Sequence, residues 1–446
     1  MTATILGLGN TGLSCARFFS REKIPFQIID TRENPPSLSQ FKLEFPDTPC
    51  FLGNFYESIL EKASEIILSP GLALPHSVLK KIQEKKINLI GDIELFVRQA
   101  KAPIIAITGS NAKGTVTTLV GNMLSAANRK GLVGGNIGVP ALDLLTKPPP
   151  EFYVLELSSF QLETTQSLKT HAATILNISP DHLDRHLTLE NYISSKQRIY
   201  KNCKTAIYNG DDMATIPHYP VSKKITFGSS SKFDFHLLSE KNEIYLAEHH
   251  EKLLPVTELK IAGKHNCLNA LAALALASTM NLPRQAKLTA LQTFSGLPHR
   301  CQCLGNLNGV HWYDDSKGTN IGSTLAAIQG LGTTTSGKII LIAGGVGKGA
   351  DFELLKKPVL SHVKTLLLLG QDAPLIADAL KGCCEIIHVK DLEEASHMAF
   401  KISKAGDIVL LSPACASLDM FKDYHHRGEV FVRCFKALQS HYKSSL

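Results

Sequence analysis

Short runs rich in Val, Ile and Leu recur along the whole chain, each closing on a polar or glycine-rich turn and each followed by a segment of helix length. TATILGLGN, FQIIDTR, IIAITGSN, YVLELSS, AATILNIS, IILIAGG, TLLLLGQ and IVLLSPA all obey this rule. Strands separated by helices run parallel, and the helices cover both faces of their sheet. The pattern therefore predicts an α/β protein with mostly parallel sheets. The 446 residues give room for about three domains. Three blocks separate, over residues 1–91, 92–298 and 299–446, with no low-complexity linker between them. The middle block includes a polar stretch over 204–260, read as short strands and turns, and then the Ala/Leu-rich helix NCLNALAALALASTM.

Composition narrows the class. The chain is 44% apolar and 20% charged, which suits a soluble globular protein. No apolar stretch approaches the roughly 20 residues that cross a bilayer. The start, MTATILGLGNTGLS, has no basic region before its apolar run and reads as structure rather than as a signal peptide. The ten cysteines lack metal-ligand spacing, and reduced thiols are the expectation. A net charge of +7 suits polyanionic small substrates, and no Lys/Arg run interleaved with aromatics points to nucleic acid.

The stretch Ala102 to Thr118, APIIAITGSNAKGTVTT, carries the strongest chemical signal. A strand, a tight loop and a helix start form a cradle for a triphosphate, because loop amides and the positive end of the helix dipole face the phosphates. Gly109, Ser110, Asn111, Ala112, Lys113, Gly114 and Thr115 form this loop, with Lys113 reaching the outer phosphates. Ala112 stands where the motif has Gly, and Gly114 where it has Ser or Thr, which leaves Thr115 as the hydroxyl nearest a magnesium ion. Glu156 ends the strand YVLE and His182 follows the strand ATILNIS, at the carboxyl ends where open α/β sheets bind ligands. Lys196 lies on the expected helix NYISSKQRIY; as a carbamate it would be an anionic oxygen ligand, and unmodified it would repel a cation. His182 and His186 are four apart, but the intervening residues are not those of a zinc motif. Asn136 sits in the turn GGNIG. Asn266 is a candidate helix cap, and Asn269 presents an amide that suits a purine.

Two further constellations lie at the ends of the chain. Gly7-x-Gly9-x-x-Gly12, with Asp30 closing the next strand, is formally a dinucleotide motif. It fits NAD, or a Rossmann-like module for another nucleotide ligand, or glycines that only permit close packing. In the last block, Asp315, Lys317 and Thr319 crowd a strand end. Lys348 sits among Gly344, Gly345, Gly347 and Gly349, and Ser417 and Leu418 follow SPACA. Lysines in glycine-rich loops beside hydroxyls suit a carboxylate ligand.

In order along essentially the whole chain, GLGNTGLS, DTR, SPGLAL, ITGSN, KGTVTTLVG, GGNIG, LELSSFQLE, GKHNCLNALAALAL, LPHR, DSKGTN and SPACASLD resemble the Mur ligases. These enzymes build the peptide stem of the bacterial cell wall. LELSSFQLE and SPACASLD resemble the branch that acts on UDP-N-acetylmuramoyl-L-alanine and D-glutamate. The resemblance implies three domains: an N-terminal Rossmann-like domain for the UDP-substrate, a central P-loop-type ATPase and a C-terminal Rossmann-like domain for the amino acid. It implies that Asn10, Thr11, Asp30, Thr31, Arg32, Ser69, Gly71, Asn136, Ser158 and Gln161 bind the UDP-substrate. Residues 109–115, Asn269, Arg300 and Asp315 would bind ATP. Lys317, Thr319, Lys348, Ser417 and Leu418 would bind D-glutamate.

Lys113, Glu156, His182 and Lys196 would form the catalytic set. Thr115, Glu156, His182 and carbamylated Lys196 would serve two Mg2+ sites, with Mn2+ as the substitute ion. The expected enzyme is a cytoplasmic monomer of peptidoglycan synthesis. Val346 and Tyr424 depart from the acidic residue and Phe of the best-known relatives. Other amide ligases of this fold, folylpolyglutamate synthase among them, remain open, as does a UDP-sugar-binding protein with a decayed phosphate loop.

Overall fold

A computed structural model describes residues 2–261 and 263–444; Met1, Ala262 and Ser445–Leu446 lie outside the described residues. The architecture is α/β with three sheets of five, nine and six strands, the first wholly parallel and the other two each with an antiparallel pair at one edge. The chain forms two compact units, one of Met1–Asn177, Glu190–His236 and Leu271–Ala290, the other of Ile178–Leu189, Leu237–Ala270 and Leu291–Leu446.

The first unit holds two sheets. Its five-stranded sheet runs Cys50–Leu52, Phe26–Asp30, Ala3–Leu6, Glu65–Leu68, Asn88–Ile90, every neighbour parallel. Strand order reverses between Ala3–Leu6 and Glu65–Leu68, and the crevice at that reversal is where doubly wound sheets bind ligands. The turn Gly7–Gly12 sits there. A Cβ at Gly12 would lie 1.9 Å from the Gly7 carbonyl oxygen, so only glycine lets the helix Asn10–Arg21 start this close to its strand. Six strands of the nine-stranded sheet follow in the order Lys223–Gly228, Cys203–Asn209, Thr170–Ile175, Ile104–Thr108, Phe152–Glu156, Gly131–Gly135, and each of these neighbours is parallel. Among them, Ile104–Thr108 is buried at all five positions, as a strand covered on both faces must be.

The second unit holds a six-stranded sheet in the order Gln302–Leu307, Val310–Asp314, Ile408–Leu411, Ile339–Gly344, Val363–Leu369, Glu385–His388. The first pair is antiparallel and the others parallel. Trp312, fully buried, packs on Phe431 and Phe435 of the helix Tyr424–Ser444, with ring centroids 5.7 Å apart in both pairs. The polar stretch over 204–260 is more regular than its composition suggests; it includes the antiparallel hairpin of Glu243–Glu248 and Glu251–Pro255. The Ala/Leu-rich helix runs Lys264–Ser278, so Asn266 lies inside its first turn rather than capping it.

Candidate active site

In the first unit, register places the phosphate loop beside the acid. Ile107 pairs with Glu156 on one neighbouring strand and with Thr174 on the other. The loop between Thr108 and Lys113 is braced from the turn after Ile175. The Ser110 amide donates to the Asn177 carbonyl and the Asn111 amide to Asn177 Oδ1, both at 2.9 Å. Ser110 Oγ lies 3.1 Å from the Tyr192 hydroxyl. Lys113, Gly114 and Thr115 open the helix Lys113–Ala126, whose first amides have no partner within the helix. Lys113 Nζ donates to the carbonyls of Gly109 (2.9 Å) and Ser110 (3.0 Å). Lys196, only 1% exposed, donates to the same Gly109 carbonyl at 2.9 Å, and its Nζ lies 4.5 Å from the Tyr192 ring centroid. Two amines from distant parts of the sequence thus converge beneath one loop.

Ala112 caps this helix in the left-handed conformation, with φ 63°. That explains why the motif places glycine here: a Cβ at positive φ costs about 1–2 kcal/mol. Ala112→Gly is therefore expected to raise stability by about 1 kcal/mol, read as an upward shift of the thermal midpoint. An unchanged or lower midpoint would count against strain at this residue.

Glu156 is buried. Its Oε1 accepts from Asn136 Nδ2 at 2.6 Å, and its backbone carbonyl accepts the Asn136 amide at 2.8 Å. Its Oε2 is buried without a hydrogen-bond partner. A buried carboxylate oxygen with no donor is costly, and a cation would satisfy it. Magnesium keeps several waters and takes one or two carboxylates plus phosphate oxygens, so a single unpartnered carboxylate oxygen on the strand next to the phosphate loop's own fits it. Among the described residues no group of three or more His, Cys, Asp and Glu side chains forms a ready-made cage, which such an ion does not require.

The N-terminal crevice has its own constellation. The Asp30 carboxylate accepts the Leu8 amide at 2.7 Å and both the Nε (2.9 Å) and Nη2 (2.7 Å) of Arg32. Burial would raise this carboxyl, but the Arg32 side chain and the amides of Leu8 and Arg32, the latter at 2.9 Å, outweigh burial and lower it. Asp30 thus holds the glycine turn and aims Arg32, while Asn10 and Thr11 open the helix Asn10–Arg21. Thr31 lies between Asp30 and Arg32, and Ser69 Oγ donates to the Gly7 carbonyl at 3.0 Å, two residues before Gly71. Ser158 and Gln161 form a capping box on the short helix Ser159–Glu163, and buried Gln161 also donates to Asp92 Oδ2 at 3.1 Å.

In the second unit, the loops after Val310–Asp314, Ile339–Gly344 and Ile408–Leu411 meet. Val346 and Ala416 exchange backbone hydrogen bonds of 2.9 and 2.8 Å, which ties the Lys348 loop to the Ser417–Leu418 loop. Asp372 Oδ2 accepts the Gly347 amide at 2.7 Å. Lys348 Nζ lies 2.8 Å from Asp181 Oδ1, and Asn320 Nδ2 donates to Asp181 Oδ2 at 3.0 Å. Burial would raise the Asp181 carboxyl; Lys348, His182 and Asn320 overcome it and hold it at about 2. His182 directly follows, in a left-handed conformation at the start of Leu183–His186. Lys317 Nζ sits 3.9 Å from the Tyr424 ring centroid, and the Thr319 amide donates to the Lys317 carbonyl. Buried Arg427 donates to the Ser316 carbonyl at 2.8 Å and the Cys415 carbonyl at 3.2 Å, clamping two of these loops. Asn269 donates to Asn266 Oδ1 at 3.0 Å.

Asp315 accepts from the Cys301 amide (3.1 Å) and Ser412 Oγ (2.7 Å); burial outweighs these bonds and pushes its carboxyl up to about 7, with Arg300 opposing. The folded state therefore keeps a proton that the unfolded chain has already released. This contribution is fully present below the unfolded carboxyl value, near 4, and is lost as pH rises to about 7. Asp315→Asn keeps the shape without the titration, since Ser412 Oγ can turn its proton to Thr324 Oγ1, 3.0 Å away. Chemical denaturation is expected to show the variant gaining stability relative to the parent between pH 5 and pH 8 by a few kcal/mol, a gain absent if Asp315 ionises normally.

Sequence comparisons bear on these sites. Residues 1–91 match the Mur ligase MurD-like N-terminal domain, 107–277 the Mur ligase middle domain and 299–415 the Mur ligase glutamate ligase domain. The chain belongs to the Mur ligase family. As a Mur ligase it is an ATP-dependent ligase of the family that builds peptidoglycan precursors. It is 48% identical over 440 residues to the UDP-N-acetylmuramoylalanine–D-glutamate ligase of Legionella pneumophila strain Paris, covering 97% of this chain and 98% of that one. It is 49% identical over 435 residues to the enzyme of the same name from Coxiella burnetii strain Dugway 5J108-111, again covering 97% and 98%. Its fold is shared with UDP-N-acetylmuramate-alanine ligase MurC of Thermotoga maritima, at 19% identity and TM-score 0.63 over 98% of this chain and 99% of that one. MurF ligase of Thermotoga maritima, solved with ADP, matches at 17% identity and TM-score 0.62 over 93% and 95%.

Within this Mur ligase the first unit brings together Lys113, Lys196 and the phosphate loop, and separately Asn136 with Glu156. The second brings Lys348 beside the residue preceding His182. Three contributors carried no sequence signal of their own: Asn177, Tyr192 and Arg427 act through contacts 66, 82 and 111 residues away in sequence. Asp181 was visible only as the residue before a candidate metal ligand.

Proposed function

We propose that this Mur ligase joins D-glutamate to UDP-N-acetylmuramoyl-L-alanine through an acyl phosphate, with domains over 1–91, 92–298 and 299–446. The near-half identity to ligases of that name supports the substrates. The observation that carries the chemistry is the convergence of Lys113 and Lys196 on the Gly109 carbonyl, on the sheet edge that also bears the orphaned Glu156 oxygen. An alanyl carboxylate is a poor electrophile. Its oxygen attacks the γ-phosphorus of ATP and ADP leaves. D-glutamate, with its nitrogen deprotonated to the amine, then attacks the carbonyl carbon; the C–O bond breaks with its electron pair leaving on phosphate, and the nitrogen gives up a proton to become the amide.

Lys113 draws charge from the phosphoryl oxygens as it moves, and the loop amides hold the phosphates in line. Glu156, Thr115, His182 and a carbamylated Lys196 would hold magnesium in two sites, with manganese as a substitute, and the ion would supply charge neutralisation at the transferring phosphoryl. Asn136 fixes Glu156. Residues 109–115, Asn269, Arg300 and Asp315 hold ATP. Asn10, Thr11, Asp30, Thr31, Arg32, Ser69, Gly71, Asn136, Ser158 and Gln161 serve the UDP-substrate, and Lys317, Thr319, Lys348, Ser417 and Leu418 the amino acid. The enzyme acts as a cytoplasmic monomer; among the described residues no helix is long and apolar enough to cross a membrane.

Oxygen transfer tests the order of steps. With 18O in the alanyl carboxylate, one labelled oxygen is expected in the released phosphate. Unlabelled phosphate beside a correct amide product would contradict an acyl phosphate.

A further inference from the structure

The groups assigned to the incoming amino acid are two lysines, two hydroxyls or amides and a leucine. They suit its two carboxylates and offer its ammonium, the group whose nitrogen must become the nucleophile, no anionic acceptor. The second unit supplies one. Asp181 is a nearly buried carboxylate, 8% exposed at its side chain, bonded at once to Lys348 (2.8 Å) and to Asn320 (3.0 Å). Asn320 in turn caps the helix Ile321–Gly332, its Oδ1 accepting the Ser323 amide at 2.9 Å, directly after the Lys317–Thr319 loop. The carboxylate is therefore fixed by a helix cap on one side and paired with a substrate-binding lysine on the other.

Resting on the ligase reading above, we propose that Asp181 binds the α-ammonium of D-glutamate and so orients its nitrogen, the Asp181–Lys348 pair being exchanged for the substrate's own charges. A substrate carboxylate takes Lys348 while its ammonium takes Asp181, so both protein charges stay paired throughout. Such an exchange avoids leaving either buried charge uncompensated. It also ranks amino acids above simple dicarboxylates, because a dicarboxylate takes Lys348 from Asp181 without bringing a cation in its place, and leaves that carboxylate to Asn320 (3.0 Å) and the His182 amide (3.0 Å). Asn320 holds the carboxylate in place while its partner changes.

The test compares D-glutamate with glutarate, the five-carbon dicarboxylate that lacks the amine, in the full-length enzyme and in Asp181→Asn. With ATP, magnesium and UDP-N-acetylmuramoyl-L-alanine saturating, the KM for D-glutamate is expected to rise about tenfold or more, the scale of one charge-assisted hydrogen bond. Inhibition by glutarate is expected to stay within about twofold or to tighten, since Lys348 is released. Equal weakening of both ligands would show that Asp181 only holds Lys348, and would overturn the proposal. An unchanged KM for D-glutamate would overturn it as well. A second readout is independent of glutarate: Asp181→Asn introduced into Lys348→Ala should still lower kcat/KM for D-glutamate, whereas a residue acting only through Lys348 would have no further effect. Wild-type enzyme with no D-glutamate-dependent turnover would instead reject the ligase reading itself.

Discussion

Lys196→Ala is expected to remove roughly 10³-fold or more of the turnover, at any bicarbonate concentration. The side chain is among the largest that the fold buries completely, and its amine reaches the Gly109 carbonyl under the phosphate loop. Truncation removes both the nitrogen that carries the proposed carbamate and the donor that fixes this loop. Part of the loss would come from packing, since deleting a long buried side chain costs about 2–5 kcal/mol of stability. Lys196→Met separates the two effects. It restores most of the volume and should recover most of the thermal midpoint while leaving turnover low. Wild-type-like turnover in either variant would remove Lys196 from the catalytic set. Carbon-13 bicarbonate provides the direct check, with a carbamate carbon signal expected in the parent and missing from Lys196→Met.

Glu156→Gln is expected to lower turnover by about 10²–10³-fold and to raise the magnesium concentration needed for half-maximal rate. The amide keeps the shape and can still accept from Asn136 Nδ2, now held at 2.6 Å. It removes the charge that the orphaned Oε2 offers to a cation. Without metal the variant should unfold no earlier than the parent, because neutralising a buried carboxylate removes a desolvation cost. Lower stability together with an unchanged magnesium requirement would assign Glu156 a structural role only.

Much of the fold was legible because parallel strands between helices leave a plain record. IIAIT and YVLE are apolar because helices cover both faces of their sheet, and their polar ends mark the binding edge. The departures at Ala112 and Gly114 were also legible, but their consequence was not. Only the backbone shows that Ala112 occupies the left-handed position that favours glycine. The helix begins at Lys264, two residues before Asn266, a boundary that local propensity does not fix to the residue. Long-range partners were invisible as well. Nothing near Asp181 announces Lys348, 167 residues on, and nothing near Ser316 announces Arg427. Side-chain pairing across loops is fixed by strand order, which periodicity does not encode.

The most direct measurement of the central claim is phosphate release from ATP with magnesium and UDP-N-acetylmuramoyl-L-alanine, with D-glutamate present or omitted, followed by the mass of the nucleotide product. The account predicts sustained release only with D-glutamate and a product heavier by one glutamyl residue. Binding of the UDP-substrate with no release across a wide magnesium range would contradict it, and would mark the Ala112–Gly114 loop as one that no longer works.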